Sequence, residues 1–156
     1  MQIQPEPVLK EVKPINFLFF RTETTVSGLG DLIPVAKALF REAVNSDLHI
    51  TGPVQWHYFG FTGDPNQSFT LEIALPVDRV LEGYDGTFHF KRTGNFKSVS
   101  MIHEGNWSDM PAGYGRLMKF MEMNGIAGSG VNREVYLNVD FAHPEASITE
   151  IQIGIK

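Results

Sequence analysis

The segment Val131-Asn132-Arg133-Glu134-Val135-Tyr136-Leu137-Asn138 limits what this chain can fold into more than any other. Val135, Leu137 and Val139 recur at every second position, so in a strand they share one face, and Asn132, Glu134, Tyr136 and Asn138 share the other. The apolar face is expected to be core. The opposite face sets a carboxylate between an amide and a phenol, which suits either open water or a ligand cavity.

An earlier stretch carries the same signal. Gly52-Pro53-Val54-Gln55-Trp56-His57-Tyr58-Phe59 can be laid without a gap on Gly130 to Leu137, and the register continues into a next strand where Glu72-Ile73 falls on Glu150-Ile151. The phase of alternation agrees as well, with Phe59 and Phe61 on the positions of Leu137 and Val139, Trp56 on Glu134 and Tyr58 on Tyr136. The chain therefore reads as two copies of one unit.

Each copy is predicted as β-β-α-β-β. In the first, a short arm leads to an edge strand Val8–Val12, then a turn at Lys13-Pro14 and a nearly continuous apolar strand from Ile15 to Arg21. The second answers with Phe88–Arg92, a Thr93-Gly94 turn and Asn95–Ile102. Under this alignment Leu18 and Phe20 match Val99 and Met101 on one face, and Phe17 and Phe19 match Ser98 and Ser100 on the other. A helix follows in each copy. Asp31 is the expected cap of the first, with Pro34 in its opening turn and a stripe of Leu32, Val35, Ala36, Leu39 and Ala43 ending at Asn45-Ser46. Ser108 is the expected cap of the second, with Pro111 in the first turn and a stripe of Met110, Tyr114, Leu117, Met118 and Met121 ending at Asn124-Gly125. Gly113 and Gly115 each cost that helix about 1 kcal/mol against Ala, unless they mark a close approach to a neighbour. Hairpins spanning 52–77 and 132–155 complete the copies.

The fold class is thus α+β: a single domain over 1–156 made of pseudo-twofold duplicated β-β-α-β-β modules, repeat 1 over about 8–77, a linker over 78–87 and repeat 2 over about 88–156. Antiparallel sheets with one helix each leave a face of each sheet uncovered. Pairing the copies would shelter those faces and leave a central pocket lined from both.

Composition removes several functions. A net charge of −5 with no basic run longer than two residues argues against direct nucleic-acid binding, which needs surplus Lys and Arg against phosphate. Without cysteine there is no disulfide framework, thiolate zinc site or cysteine nucleophile. The five histidines show no pair at ligand spacing, so neither metal nor cofactor is predicted. The N-terminus lacks a signal-peptide pattern and no apolar run reaches membrane-spanning length, so no membrane partner is expected and the location is cytoplasmic by default.

Arg133 to Asn138, taken with Ile102-His103-Glu104-Gly105, the following helix and the Gly-Pro pair, resembles the GyrI-like small-molecule-binding domains, which include the effector-binding domains of multidrug-responsive transcription activators. The resemblance runs from about Val8 to Lys156. It implies two modules around a central pocket, with Glu134 at the pocket base meeting cationic or polar aromatic ligands. It also implies Trp56, Tyr58, Tyr136 and Trp107 as the surrounding aromatics. Gly105-Asn106-Trp107 departs from the family's loop, and Arg21-Thr-Glu-Thr24 lacks its glycine.

Each of these residues has a plainer reading. Glu134 could be a solvated strand carboxylate, but Trp56 and Tyr136 on its predicted face would then be two large aromatics in water. A buried carboxylate instead binds a counter-charge or takes up a proton, and a cationic aromatic ligand would satisfy both charge and rings. Trp56 and Tyr58 could equally be core, and Trp107 a loop anchor. Met110, Met118, Met121 and Met123 read as helix packing, His57 as a satisfied structural histidine, and Gly28-Leu-Gly30 lacks the context of a phosphate loop.

The expected function is a stand-alone small-molecule-binding protein for sequestration or sensing, taking amphipathic, aromatic, often cationic compounds and acting through any protein partner rather than on DNA. The family resemblance leaves a second reading open, a metal-independent hydrolase that opens strained cyclopropane rings with Glu134 as general base and Tyr136 as hydrogen-bond donor. A third is a partner-binding protein like the gyrase inhibitors.

Overall fold

The computed structural model describes residues 6–156; the rest of the arm expected before Val8 lies outside the described residues. The elements follow the expected order: β1 (Val8–Val12), β2 (Asn16–Thr24), α1 (Val35–Asn45), β3 (Gln55–Phe59) and β4 (Phe69–Val77), then β5 (His89–Arg92), β6 (Phe96–Glu104), α2 (Met110–Met123), β7 (Gly128–Asn138) and β8 (Ile148–Ile155). The fold is α+β with antiparallel strand pairing.

The chain forms two compact units that do not follow the repeat boundaries: one is Lys13–Asn95, the other joins β1 to Phe96–Lys156. The reason lies in the edge strands. β1 pairs with β6 and β5 pairs with β2, so the first strand of each sequence repeat completes the unit built from the other repeat. Local periodicity carries no information about which neighbour a strand selects.

In the α1 unit β3, β4, β2 and β5 are adjacent in that order, and α1 lies over the face carrying Leu18, Leu71, Ile73 and Leu75. Leu39 and Ala43 of α1 are fully buried against them. The opposite face holds a second cluster of Phe17, Phe19 and Ala74, as the strand phase predicts. In the α2 unit β1, β6, β8 and β7 are adjacent, and Met110, Leu117 and Met121 of α2 pack on Val99, Met101, Ile151 and Ile153. Its helix-free face carries Ser98 and Ser100, small and polar where the other unit has phenylalanines.

The helix ends are built alike. Leu48 N–H donates to Ala43 O at 2.9 Å across Asp47 (φ 57°), and Ile126 N–H donates to Met121 O at 2.8 Å across Gly125 (φ 63°). Both are the six-to-one closure of a left-handed C-terminal cap. The starts differ from expectation. A 3-10 segment at Val26–Leu32 absorbs Asp31 and leaves Pro34 as the cap of α1, while a 3-10 turn at Trp107–Asp109 absorbs Ser108 and leaves Asp109 as the cap of α2. Met110 and Met121 are core, but Met118 and Met123 are 61% and 76% exposed, so the methionine stripe is only half packing.

A buried glutamate on the helix-free face anchors the exchanged strand in each unit. Lys10 of β1 donates to Glu150 Oε2 at 2.7 Å, and Lys91 of β5 donates to Glu72 Oε1. Ser98 stands opposite Lys10, and Phe17, its counterpart in the alignment, stands opposite Lys91. Further hydrogen bonds reach Glu72 from Arg21 Nε (2.8 Å) and Glu150 from Ser100 Oγ and Gln152 Nε2 (2.8 Å each). Burial pushes the Glu150 carboxyl up, but the bonds from Lys10, Gln152 and Ser100 outweigh it and hold the group below the usual carboxylate range. His57, fully buried, bonds Gln55 Oε1 at 2.8 Å and Lys91 Nζ at 3.1 Å, the satisfied structural histidine expected, although on the helix-free face.

Candidate functional site

The alternation of β7 is real, but its faces are the reverse of those expected. Glu134 stands opposite Ile151 and Tyr136 opposite Thr149, while Val135 stands opposite Glu150. Ile151 is part of the core under α2, so Glu134 and Tyr136 lie on the helix-covered face and Val135 on the other, and a register shift between Tyr136 and Asn138 ends the alternation before Val139. Glu134 is 8% exposed and Val135 7%, so both faces are covered at that level of the strand, whereas Leu137 beside the register shift and Val139 beyond the strand are 47% and 43% exposed. Apolar mass on the covered face comes from β6 and β8, which frees β7 to place polar groups under the helix.

Helix α2 comes close to that face at Gly113. A Cβ there would sit 3.2 Å from Ile151 Cδ1 and 3.3 Å from Met101 Cε, whereas at Gly115 it would meet nothing within 4 Å. Gly113 thus serves the close approach anticipated for the pair, and Gly115 does not. One residue further along, Tyr114 reaches the strand: its hydroxyl donates to Glu134 Oε2 at 2.5 Å, while the Tyr136 hydroxyl donates to Glu134 Oε1 at 2.6 Å. Each carboxylate oxygen therefore takes one phenol, at the short distances of charge-assisted bonds. The sequence named Glu134 and Tyr136 as a pair; it placed Tyr114 only in the helix stripe, among residues whose neighbours, Met110 and Leu117, are core.

The same face continues across the ladder through Thr149 to His103. His103 Nε2 lies 2.8 Å from the Asn106 carbonyl, an acceptor only, so Nε2 carries the proton and ties down the loop leading to Trp107. Trp107 is half-buried against the α2 core, with its ring 5.4 Å from Phe141, and its indole N–H is covered with no acceptor among the described residues. Trp56 and Tyr58 lie in the α1 unit, on its helix-covered face opposite Ile73 and Leu71. Tyr58 is buried against Phe69 and Phe61 at centroid distances of 5.7 and 6.0 Å, and Trp56 is half-buried. Among the described residues no group of three or more metal-ligating side chains is assembled, and no helix is long and apolar enough to cross a membrane.

The family model for the GyrI-like small molecule binding domain matches residues 5–156. Among solved structures, the EcmrR C-terminal domain superposes with a TM-score of 0.82 at 21% identity, covering 99% of both chains. The EcmrR–DNA complex gives 0.80 at 20% identity, and there 97% of this chain covers 57% of that one, so the chain spans just over half of that regulator. SAV2435 bound to tetraphenylphosphonium (0.66, 13% identity, 97% and 94% covered) and a hydrolase encoded by lin2189 from Listeria innocua (0.65, 14%, 98% and 93%) share the fold. No curated protein sequence matches the chain.

Proposed function

We propose, from the premise that the chain belongs to the GyrI-like small-molecule-binding domains, related to the effector domains of transcription regulators, that it binds amphipathic aromatic compounds carrying a positive charge, with Glu134 as the complementary anion. The observation that carries this reading is the Tyr114–Glu134–Tyr136 cluster, a carboxylate 8% exposed whose two oxygens are fixed by phenols under a helix. Phenol donors orient a carboxylate without adding charge, and their rings offer π-faces to a cation. Tyr136 and Trp107 supply stacking area in the same unit, and Trp56 and Tyr58 are the candidate aromatics of the other. The relative bound to tetraphenylphosphonium supports the ligand class.

Titration with tetraphenylphosphonium, read by tryptophan fluorescence and calorimetry, tests it. Glu134→Gln should weaken binding about tenfold or more, as loss of a charge-assisted contact of roughly 1.5–3 kcal/mol requires. Equal affinity in wild type and variant would remove the charge role.

The same cluster favours hydrolysis as the second reading, supported by the related hydrolase. Glu134 would take a proton from water as the oxygen bonds to a strained cyclopropane carbon and the ring C–C bond breaks in the same step, its electron pair moving into a conjugated carbonyl hydrogen-bonded by Tyr136; the proton then passes from Glu134 to the enolate and restores the carboxylate. Mass spectrometry of a cyclopropane-containing alkylating compound after incubation separates the two, because a binder returns it unchanged and a hydrolase adds the mass of water.

A further inference from the structure

β1 forms one edge of the α2 unit, and that edge is open. Among the described residues β1 pairs only with β6, so the backbone groups on its other side meet no strand. Two aliphatic side chains stand out along it, Val8 at 55% and Leu9 at 63% exposure. A charged residue often guards such an edge against further strands. Here Lys10, the one lysine of β1, is turned onto Glu150 instead.

One bond shows which backbone groups face outward. Lys10 O accepts from Ser98 Oγ at 3.3 Å, so the Lys10 carbonyl is turned toward β6. Backbone direction alternates along a strand, so the N–H and C=O of Leu9 and Glu11 point away from the sheet, as does the carbonyl of Pro7.

A groove of about 290 Å³ runs beside this edge, lined by Pro7 and by Arg116, Lys119, Phe120 and Met123 of α2. Leu9 stands opposite Val99 of the α2 core, so Leu9 and Glu11 lie on the same side of the sheet as the groove. The groove is apolar at Pro7, Phe120 and Met123 and basic at Arg116 and Lys119, in a chain whose net charge is −5. Its natural complement is a strand with an apolar residue and an acidic one two places on. β1 itself has that pattern in Leu9 and Glu11. Both Glu11 and Lys119 are exposed, and neither enters an ion pair among the described residues.

We propose that this edge is a docking surface for a second copy of the chain, with the two β1 strands antiparallel about a twofold axis at Leu9. Such an axis sets residues of one sheet face opposite each other. Centring on Lys10 or Glu11 would oppose like charges, and centring on Val8 would pair only the start of the strand. Centred on Leu9, the two leucines exchange N–H and C=O bonds and pack together. Val8 covers the methylene stem of the partner's Lys10. The N–H of the partner's Glu11 donates to Pro7 O, and its carboxylate lies over the groove beside Lys119 and Arg116.

Sedimentation velocity of the full chain over a range of concentrations tests this. A monomer–dimer equilibrium is expected. Leu9→Lys should leave only monomer with an unchanged circular dichroism spectrum, because it sets two charges together on the axis at an exposed position. Glu11→Lys and Lys119→Glu should each raise the dissociation constant about tenfold or more, since the twofold repeats every altered contact. Combining them should bring it back toward wild type, a recovery that mere damage to β1 or α2 would not give. A wild type that is monomeric throughout, a dimer that survives Leu9→Lys, or charge reversals that add rather than compensate would each overturn the proposal. So would a monomeric wild type that binds an extended acidic peptide at this edge, which would give the groove to a different chain.

Discussion

Removing the Tyr114 hydroxyl is the sharpest test of how Glu134 is held. In Tyr114→Phe the helix keeps its ring, but Glu134 Oε2 loses a donor at 2.5 Å in a site 8% exposed. Hydrogen bonds to a charged group contribute about 1.5–3 kcal/mol. A loss of about 2 kcal/mol is expected, which for a chain of this size lowers the melting temperature by roughly 4–8 °C and the urea midpoint by about 1 M. Tyr136→Phe removes the bond to Oε1 and should cost a similar amount. The double variant should lose less than the sum, because both phenols act on one carboxylate. In a Glu134→Gln background the acceptor is neutral, so Tyr114→Phe should cost only about 1 kcal/mol. Chemical denaturation of the four proteins in the Tyr114–Glu134 cycle reads these values. A Tyr114→Phe effect within about 0.5 kcal/mol of zero, or the same loss in both backgrounds, would refute a charge-assisted bond to Glu134.

The two glycines of α2 should separate in sign. Gly115→Ala meets nothing within 4 Å and should stabilise by about 1 kcal/mol through helix propensity, whereas Gly113→Leu drives a side chain into Ile151 and Met101 and should destabilise by about 1–3 kcal/mol, both read by thermal melting. Glu150 makes the α2 unit acid-sensitive. Its carboxyl is held below the 4.5 of the unfolded chain, so its bonds stabilise the fold above that pH, and the contribution is lost as pH falls through the folded value. Glu150→Gln should flatten the acid limb of stability measured from pH 7 down to about 3, and an unchanged limb would show that Glu150 plays no part in it.

Much of this architecture is legible in the chain. Element order follows from alternation and helical spacing, and the helix stops at Asn45-Ser46 and Asn124-Gly125 fall where left-handed caps close. Two errors have one cause, that periodicity is local. It identified a two-faced strand at Glu134 but could not say which face α2 would cover: Val135 is buried as its phase suggests, yet the apolar residues under α2, Ile151 and Met101, come from other strands. It found β1 and β5 but not their exchange, which is decided by pairing between strands far apart in sequence. Tyr114 was hidden for a related reason: a tyrosine in an apolar stripe reads as packing, and only the partner of its hydroxyl distinguishes it.

Three buried glutamates are held in two different ways. Glu72 and Glu150 lie on helix-free faces and are each met by a lysine from an exchanged edge strand. In those pairs the strand brings its own counter-charge, so the ion pair specifies which edge strand docks, and it does so even if its net contribution to stability is small. Glu134 lies on a helix-covered face and is met by phenols from its own strand and from α2. The two hydroxyls, one at each oxygen, fix the direction in which the Glu134 carboxyl points, and under the proposed function that orientation is what a ligand would meet.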